Sequence, residues 1–142
     1  MLSVRRFLWT ENLYQPVFPQ EFQLRENDYV VGNRKFGGNA QYLRKNRWLH
    51  HTSFLWDYNP SLMDYLLIPE KIPKYREKRN HSDFLCCLSH FLPNKEEFNN
   101  RLFNAFKNHF VLKEVILGDL VNILDVPHRK ATAFIEFEYK SC

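Results

Sequence analysis

Apolar residues recur at two different spacings along this chain. In its first third the spacing is that of strands. Tyr29-Val30-Val31 is β-branched and aromatic and runs into Gly32-Asn33, a turn-forming pair, after which Arg34-Lys35-Phe36 makes the returning strand. His51 to Trp56 is predicted as a further strand. This part therefore reads as a β-meander with tight turns. Ahead of it, Pro16 and Pro19 punctuate an extended lead-in, because proline removes a backbone donor and pushes its predecessor away from helix. No regular element is predicted there.

Beyond the meander the spacing becomes helical. Pro60 to Leu67 is predicted as a short amphipathic helix, with Asn59 as its cap, Pro60 in the first position and Leu62, Met63, Leu66 and Leu67 on one side. Pro69 and Pro73 end it. A longer helix is predicted over Asn94 to Phe110, where Asn94 caps, Glu96 and Glu97 suit the positive end of the dipole, and Phe98, Leu102, Ala105, Phe106 and Phe110 form a core stripe. Between them, Lys71 to His81 holds five basic residues against one acidic and little to bury, the pattern of a solvated loop. Val111 to Leu117 is apolar and β-branched, and Phe134 to Tyr139 alternates like a half-buried edge strand. A meander, then helices, then a closing strand predicts an α+β domain with a mixed, largely antiparallel sheet and flanking helices.

Composition narrows the class. At 142 residues, 44% hydrophobic and 16% aromatic, the chain can build one core and is no disordered tail. No run approaches the roughly 18 apolar residues that span a bilayer, so a soluble protein with no membrane partner is expected. The net charge of +4 is uneven: residues 1–57 hold eight basic and five acidic residues, with a peak at Arg34, Lys35, Arg44, Lys45 and Arg47. That bias suits a nucleotide or an acidic protein surface. It is too small, and lacks a recognisable module, for a nucleic-acid binder. Cys86, Cys87 and Cys142 have no metal-knuckle or disulfide spacing and read as free thiols of a reducing compartment. Met1 to Thr10 lacks the apolar core of a secretory signal, so cytoplasm or mitochondrion is the expected location.

The chemistry concentrates in Asn27 to Gln41. Lys35 leaves a strand into Gly37 and Gly38, where a backbone without Cβ atoms can lie against a ligand and its amides can face phosphate oxygens. The order is not that of a Walker loop, whose lysine comes at the far end. Asp28 read by itself is more often a turn cap than a metal ligand. His50 and His51 point to opposite faces of a strand and cannot chelate one metal together.

The string Arg34-Lys35-Phe36-Gly37-Gly38-Asn39-Ala40-Gln41, preceded by Asn27-Asp28 and followed by Trp48-Leu49-His50-His51-Thr52-Ser53-Phe54-Leu55, resembles the second motif block of the lipoate protein ligase family, in the biotin/lipoate ligase superfamily. Asn59 to Leu67 and Arg79 to Leu85 also resemble the segments downstream of that block in those ligases, and the resemblance runs from about residue 12 to about 110. It implies a class II synthetase-like catalytic domain: motif core 24–58, helical part 59–110, C-terminal segment 111–142.

The resemblance implies an enzyme that activates lipoate with ATP and Mg2+ to lipoyl-AMP and passes the acyl group to a lysine of a lipoyl acceptor domain, of 2-oxoacid dehydrogenase or glycine cleavage proteins. Lys35 would be the catalytic lysine. Asn27, Asp28, Gly37, Gly38 and Ala40 would bind adenylate and phosphate, with Asp28 on the magnesium, and His51 and Thr52 would line the acyl pocket. The family's earlier block, with two arginines, a Gly-rich turn and a His-Asp pair, has no counterpart upstream of residue 27, and no histidine precedes His50. A single partial domain lacking its N-terminal part is expected, complemented by a second polypeptide or inactive alone. Octanoyl or lipoyl transfer without ATP, and a non-catalytic remnant or binding module, are the alternatives.

Overall fold

The computed structural model describes residues 2–124. They open with helix α1, Leu2–Tyr14, where the sequence predicts no element. It ends one residue before the Gln15-Pro16 dipeptide, because the residue ahead of a proline is driven out of helical conformation. The helix places Leu13 and Tyr14 in the core and turns Trp9 edge-on to Trp48 at 6.3 Å.

Four strands come next, β1 Phe22–Arg25, β2 Asp28–Val31, β3 Arg34–Arg44 and β4 Arg47–Phe54, in the spatial order of the chain and antiparallel throughout. The predicted meander is present, with the unpredicted β1 added in front and β3 and β4 longer than their apolar runs suggested. Leucines and aromatics alternate poorly with the polar residues of Tyr42–Leu49, which hid the extension. The expected mixed character reduces, among the described residues, to one isolated parallel bridge between Lys35 and Leu85. Residues with positive φ sit in each turn: Glu26 at 56°, Gly32 at 61° and Asn46 at 64°. Asparagine and glycine accept this conformation readily, glutamate less so.

The register of β2 against β3 slips between Tyr29 and Val30: Tyr29 pairs with Gly37 and Val30 with Lys35, leaving Phe36 as the extra residue of a bulge. Phe36 and Gly37 therefore face the same side, towards Phe54 and Tyr29, whereas Lys35 and Gly38 face the other.

That first side is the core. Tyr14, Phe18, Phe22, Tyr29 and Phe36 are buried, and Phe54, Phe98 and Phe106 pack against them. Phe54 stacks on Phe36 at 6.2 Å and meets Tyr14 edge-on at 5.4 Å. Helix α3, Lys95–Lys107, supplies Phe98, Leu102 and Phe106 as predicted, and the Asn94 side chain caps it by accepting from the Glu97 amide at 2.8 Å. It ends three residues short of the predicted Phe110.

One expectation for the middle of the chain is corrected and a second refined. Pro60–Tyr65 is a 3-10 turn, not an α-helix; Asn59 caps it as predicted, but none of its residues is buried, and Leu62, Leu66 and Leu67 are exposed. Lys71 to His81 is loop and 3-10 turn with most positions exposed, as expected, but it does have something to bury: Arg76 within it is at 4% exposure. Its guanidinium lies 4.7 Å from the centre of the Phe84 ring, and Arg76 Nε and Arg79 Nε each donate to the other's carbonyl at 3.1 Å. A planar cation with five donors can be buried against backbone oxygens and an aromatic face. The short helix α2, His81–Phe84, comes after it, capped by Asn80. Leu85 and Cys86 then run beside β3, with the Cys86 amide donating to the Lys35 carbonyl at 2.8 Å.

The chain divides into two compact units, the first Met1–Val111 and the second starting at Leu112. The second contains α4, Leu117–Leu124, so the apolar run from Val111 leads into a helix. The strand predicted over Phe134 to Tyr139, and Cys142, lie outside the described residues. No helix among the described residues is long and apolar enough to cross a membrane.

Candidate functional site

Lys35 sits beside the bulge on the sheet face away from the aromatic core. Its Nζ lies 2.7 Å from Asp28 Oδ1. Asp28 is buried, at 8% exposure, and its second oxygen, Oδ2, accepts from the Tyr75 hydroxyl at 2.9 Å. Burial, then the adjoining Asp28 charge, pushes the Tyr75 phenol well above its ordinary range, so it remains a protonated donor. Arg25 lies 4.9 Å from the centre of the Tyr75 ring, which packs at a tilt on Phe84 with centroids 5.4 Å apart.

The segment carrying Tyr75 is tied to the sheet at both ends. The Lys74 amide donates to Glu26 Oε1 at 2.7 Å, and Arg79 donates to the Asn33 carbonyl at 2.8 Å and the Tyr75 carbonyl at 2.7 Å. The five basic residues that made this stretch look solvated are partly what anchors it.

Two clefts meet at Lys35. One, of about 300 Å³, has mainly apolar walls from Phe36, Phe54, Leu55 and Leu85, with Gly37 and Gly38 at its side. The other, of about 220 Å³, is lined by Glu26, Asn27, Asp28, Lys71 and Pro73. Lys35 is thus common to the walls of a largely apolar cavity and a polar one.

The two glycines differ. A Cβ on Gly37 would lie 3.1 Å from Phe54 Cδ1 and 3.3 Å from two Tyr29 atoms, so its absence is required by core packing. A Cβ on Gly38 would lie 3.5 Å from Lys35 Nζ, in ordinary contact, so glycine there leaves the ammonium accessible.

Of the residues singled out by sequence, Lys35, Asp28 and Gly38 come together. Asn27 lies on the polar wall, and its carbonyl accepts from the Asn39 backbone at 3.1 Å and side chain at 3.2 Å. Ala40 and His51 are opposite each other on the Lys35 face but further out, on the wall of neither cleft. The expected acyl-pocket pair is separated: Thr52 alternates to the other face. There the Thr52 hydroxyl donates to Asn39 Oδ1 at 2.7 Å, so the His50 Nε2 contact at 3.0 Å is a donation by the ring, and Gln41 Nε2 faces His50 Nδ1 at 3.1 Å. His50 is a neutral packing residue whose basicity burial lowers, the neighbouring His51 adding to the effect. Sequence reasoning gave no site role to Tyr75 and Lys71, which come from a distant segment with no motif of its own, nor to Leu85, which closes the Arg79 to Leu85 segment.

The second-block resemblance and this geometry can be set against known proteins. A model of the lipoyl protein ligase A/B catalytic domain matches residues 9–107, most of the chain. The chain belongs to this catalytic-domain family. The matched region of the lipoyl ligase domain begins within α1 and ends on the last residue of α3, inside the first compact unit. A curated relative, inactive lipoate–protein ligase 2 of Plasmodium falciparum (isolate 3D7), is 42% identical over 81 residues. The match covers 49% of this chain and 21% of the relative, so the chain spans about a fifth of that protein's length. No solved structure matches the chain significantly. The α+β architecture with its antiparallel four-stranded sheet is consistent with the lipoyl ligase catalytic domain.

Proposed function

We propose that the Lys35 site binds a lipoyl-adenylate and catalyses its formation and use: lipoate carboxylate attacks the α-phosphorus of ATP, pyrophosphate leaves, and a lysine amine of a lipoyl acceptor domain then attacks the acyl carbonyl with departure of AMP. The observation that carries this is that an apolar and a polar cleft share one lysine, Lys35. An acyl-adenylate has that division, a greasy chain on one side of a mixed anhydride and phosphate and nucleoside on the other. Lys35 would stabilise the charge that develops on the phosphate in the first step and on the carbonyl oxygen in the second. Asp28 and Tyr75 hold the ammonium where that charge appears.

Magnesium would assist the first step by neutralising phosphate charge. Among the described residues no three His, Cys, Asp or Glu side chains converge on one point. Asp28 still has lone pairs beyond its two hydrogen-bond donors, and Glu26 lines the same cleft. This donor set fits an ion held largely by phosphate and water with one carboxylate anchor, the usual habit of magnesium. Residues of the family's Arg- and Gly-rich block would complete the adenylate side of the site.

The test has two arms: lipoate-dependent exchange of pyrophosphate into ATP, and transfer from preformed lipoyl-AMP to an apo-lipoyl domain, each with the folded chain alone and with a second chain bearing the first block. Activity in either arm supports the reading, and octanoyl transfer from a carrier without ATP would show as donor use with no exchange. A folded protein inert in both refutes it. A second reading, a non-catalytic adenylate-binding module, is favoured by the word "inactive" in the relative's name; it predicts calorimetric binding of a non-hydrolysable lipoyl-AMP analogue with no turnover.

A further inference from the structure

β3 and β4 outrun the rest of the sheet. β2 pairs with β3 only as far as Gly38, while the β3–β4 pairing continues to Arg44 and Arg47. Beyond Gly38 the two strands are a protruding ribbon, and on its Lys35 face successive cross-strand pairs are Ala40 with His51, Tyr42 with Leu49, and Arg44 with Arg47. Tyr42 and Leu49 are 58% and 59% exposed. At about 3.3 Å per residue, this apolar pair lies roughly 13 Å along the strand from Gly38.

The outermost pair is energetically odd. Two arginines directly opposite each other repel and destabilise the ribbon. Lys45 sits in the turn between them, and no Asp or Glu occurs from Arg34 to Trp56. Among the described residues no carboxylate makes an ion pair with any of the three cations. Nothing in the fold of the first unit calls for this concentration of charge.

We propose that the Lys35 face of the β3–β4 ribbon is the docking surface for an acidic protein domain that presents its target lysine to the site, with Tyr42 and Leu49 as the apolar centre and Arg44, Lys45 and Arg47 as the charged rim. This rests on the ligase reading for the identity of the partner. The surface is continuous with Lys35, so a domain seated on it brings a side chain to the clefts without crossing the core. An apolar pair bordered at the hairpin tip by charge of one sign suits a folded acidic surface better than a nucleic acid, which would need stacking rings in series.

The experiment is calorimetric titration of a recombinant apo-lipoyl domain into the full 142-residue chain at several salt concentrations. Arg44→Glu converts the repelling pair into an attractive one, so the melting temperature should hold or rise while affinity for the domain falls about tenfold or more and its salt dependence becomes shallower. Tyr42→Ser should also weaken binding, whereas Lys35→Ala should not. Domain binding with those losses, but without adenylate chemistry, keeps the docking surface and removes the ligase reading. Unchanged affinity in Arg44→Glu, no binding by the wild-type chain, or binding only to phosphatidylglycerol vesicles or an oligonucleotide overturns the proposal.

Discussion

Tyr75 and Lys35 are bonded to opposite oxygens of the same carboxylate, Asp28. The phenol and the ammonium together fix the carboxylate's rotation, and the fixed carboxylate fixes the ammonium. The site is thus assembled from a hairpin and from a segment 47 residues beyond Asp28.

Lys35→Ala should reduce acyl transfer by about 100-fold or more, the usual effect of removing a preorganised charge from a developing oxyanion. The lysine side chain is only partly buried but its partner Asp28 is buried, so a cost to stability of about 1–3 kcal/mol is expected. Transfer from lipoyl-AMP together with a thermal melt checks both halves. Wild-type transfer rates in the variant would refute the assigned role.

Tyr75→Phe removes one hydrogen bond to a buried carboxylate while keeping the ring against Phe84 and Arg25. A loss of about 1–2 kcal/mol in stability is expected. The rate of transfer should fall more than affinity for an adenylate analogue, because the ammonium is less well aimed rather than absent. A change in binding alone would contradict this.

Gly37→Ala and Gly38→Ala should separate packing from chemistry. At Gly37 the added methyl strikes Phe54 and Tyr29, and overpacking of this kind costs about 1–3 kcal/mol, readable as a shift of the urea midpoint. At Gly38 the methyl meets only the lysine end and Asp28 at ordinary distances, so stability should be nearly unchanged while transfer falls. If the two variants behave alike, the distinction fails.

His50 carries a pH signature. Its folded-state basicity is lowered by burial and by His51, so below its ordinary value of 6.5 the unfolded chain takes up a proton that the folded chain resists. Stability should therefore fall as pH drops through 6.5, and this contribution should level off once the folded ring also titrates. A charged ring would oblige Gln41 to turn its amide over, presenting the buried and unpartnered Oε1 to Nδ1. His50→Gln should flatten the dependence, measured as melting temperature from pH 5 to 7.5.

Burial pushes both the Cys86 and Cys87 thiols up, so in the folded protein they should alkylate slowly at neutral pH and quickly once urea unfolds the chain. Cys86→Ser should leave acyl transfer intact. Loss of transfer would point to a thioester route instead.

Much of the hairpin was legible because Tyr29-Val30-Val31, Gly32-Asn33 and Arg34-Lys35-Phe36 each obey a local rule, and α3 because Asn94, Glu97 and the Phe98–Phe106 stripe agree with one another. α1 escaped because no apolar stripe marks it out: what it contributes, Trp9, Leu13 and Tyr14, is needed only once the sheet exists. Within the Lys71–His81 stretch Arg76 was misread, because burying it runs against composition and depends on carbonyls and a ring that lie elsewhere. The assignment of Lys35 and Asp28 came from their motif. Their shared partner could not, since a tyrosine in a basic stretch carries no mark of what it will meet.

The single extra residue at Phe36 makes the motif a matter of parity. In a regular strand, Lys35 and Gly38 would fall on opposite sides, and a lysine two residues from the glycine would be the one beside it. Straightening the bulge with no residue removed would leave every side chain of the motif present and hydrogen-bonded in a sheet, with the ammonium on the face opposite Gly38. The bulge is itself part of the chemistry, because it alone lets a lysine three residues ahead of the glycine share its face.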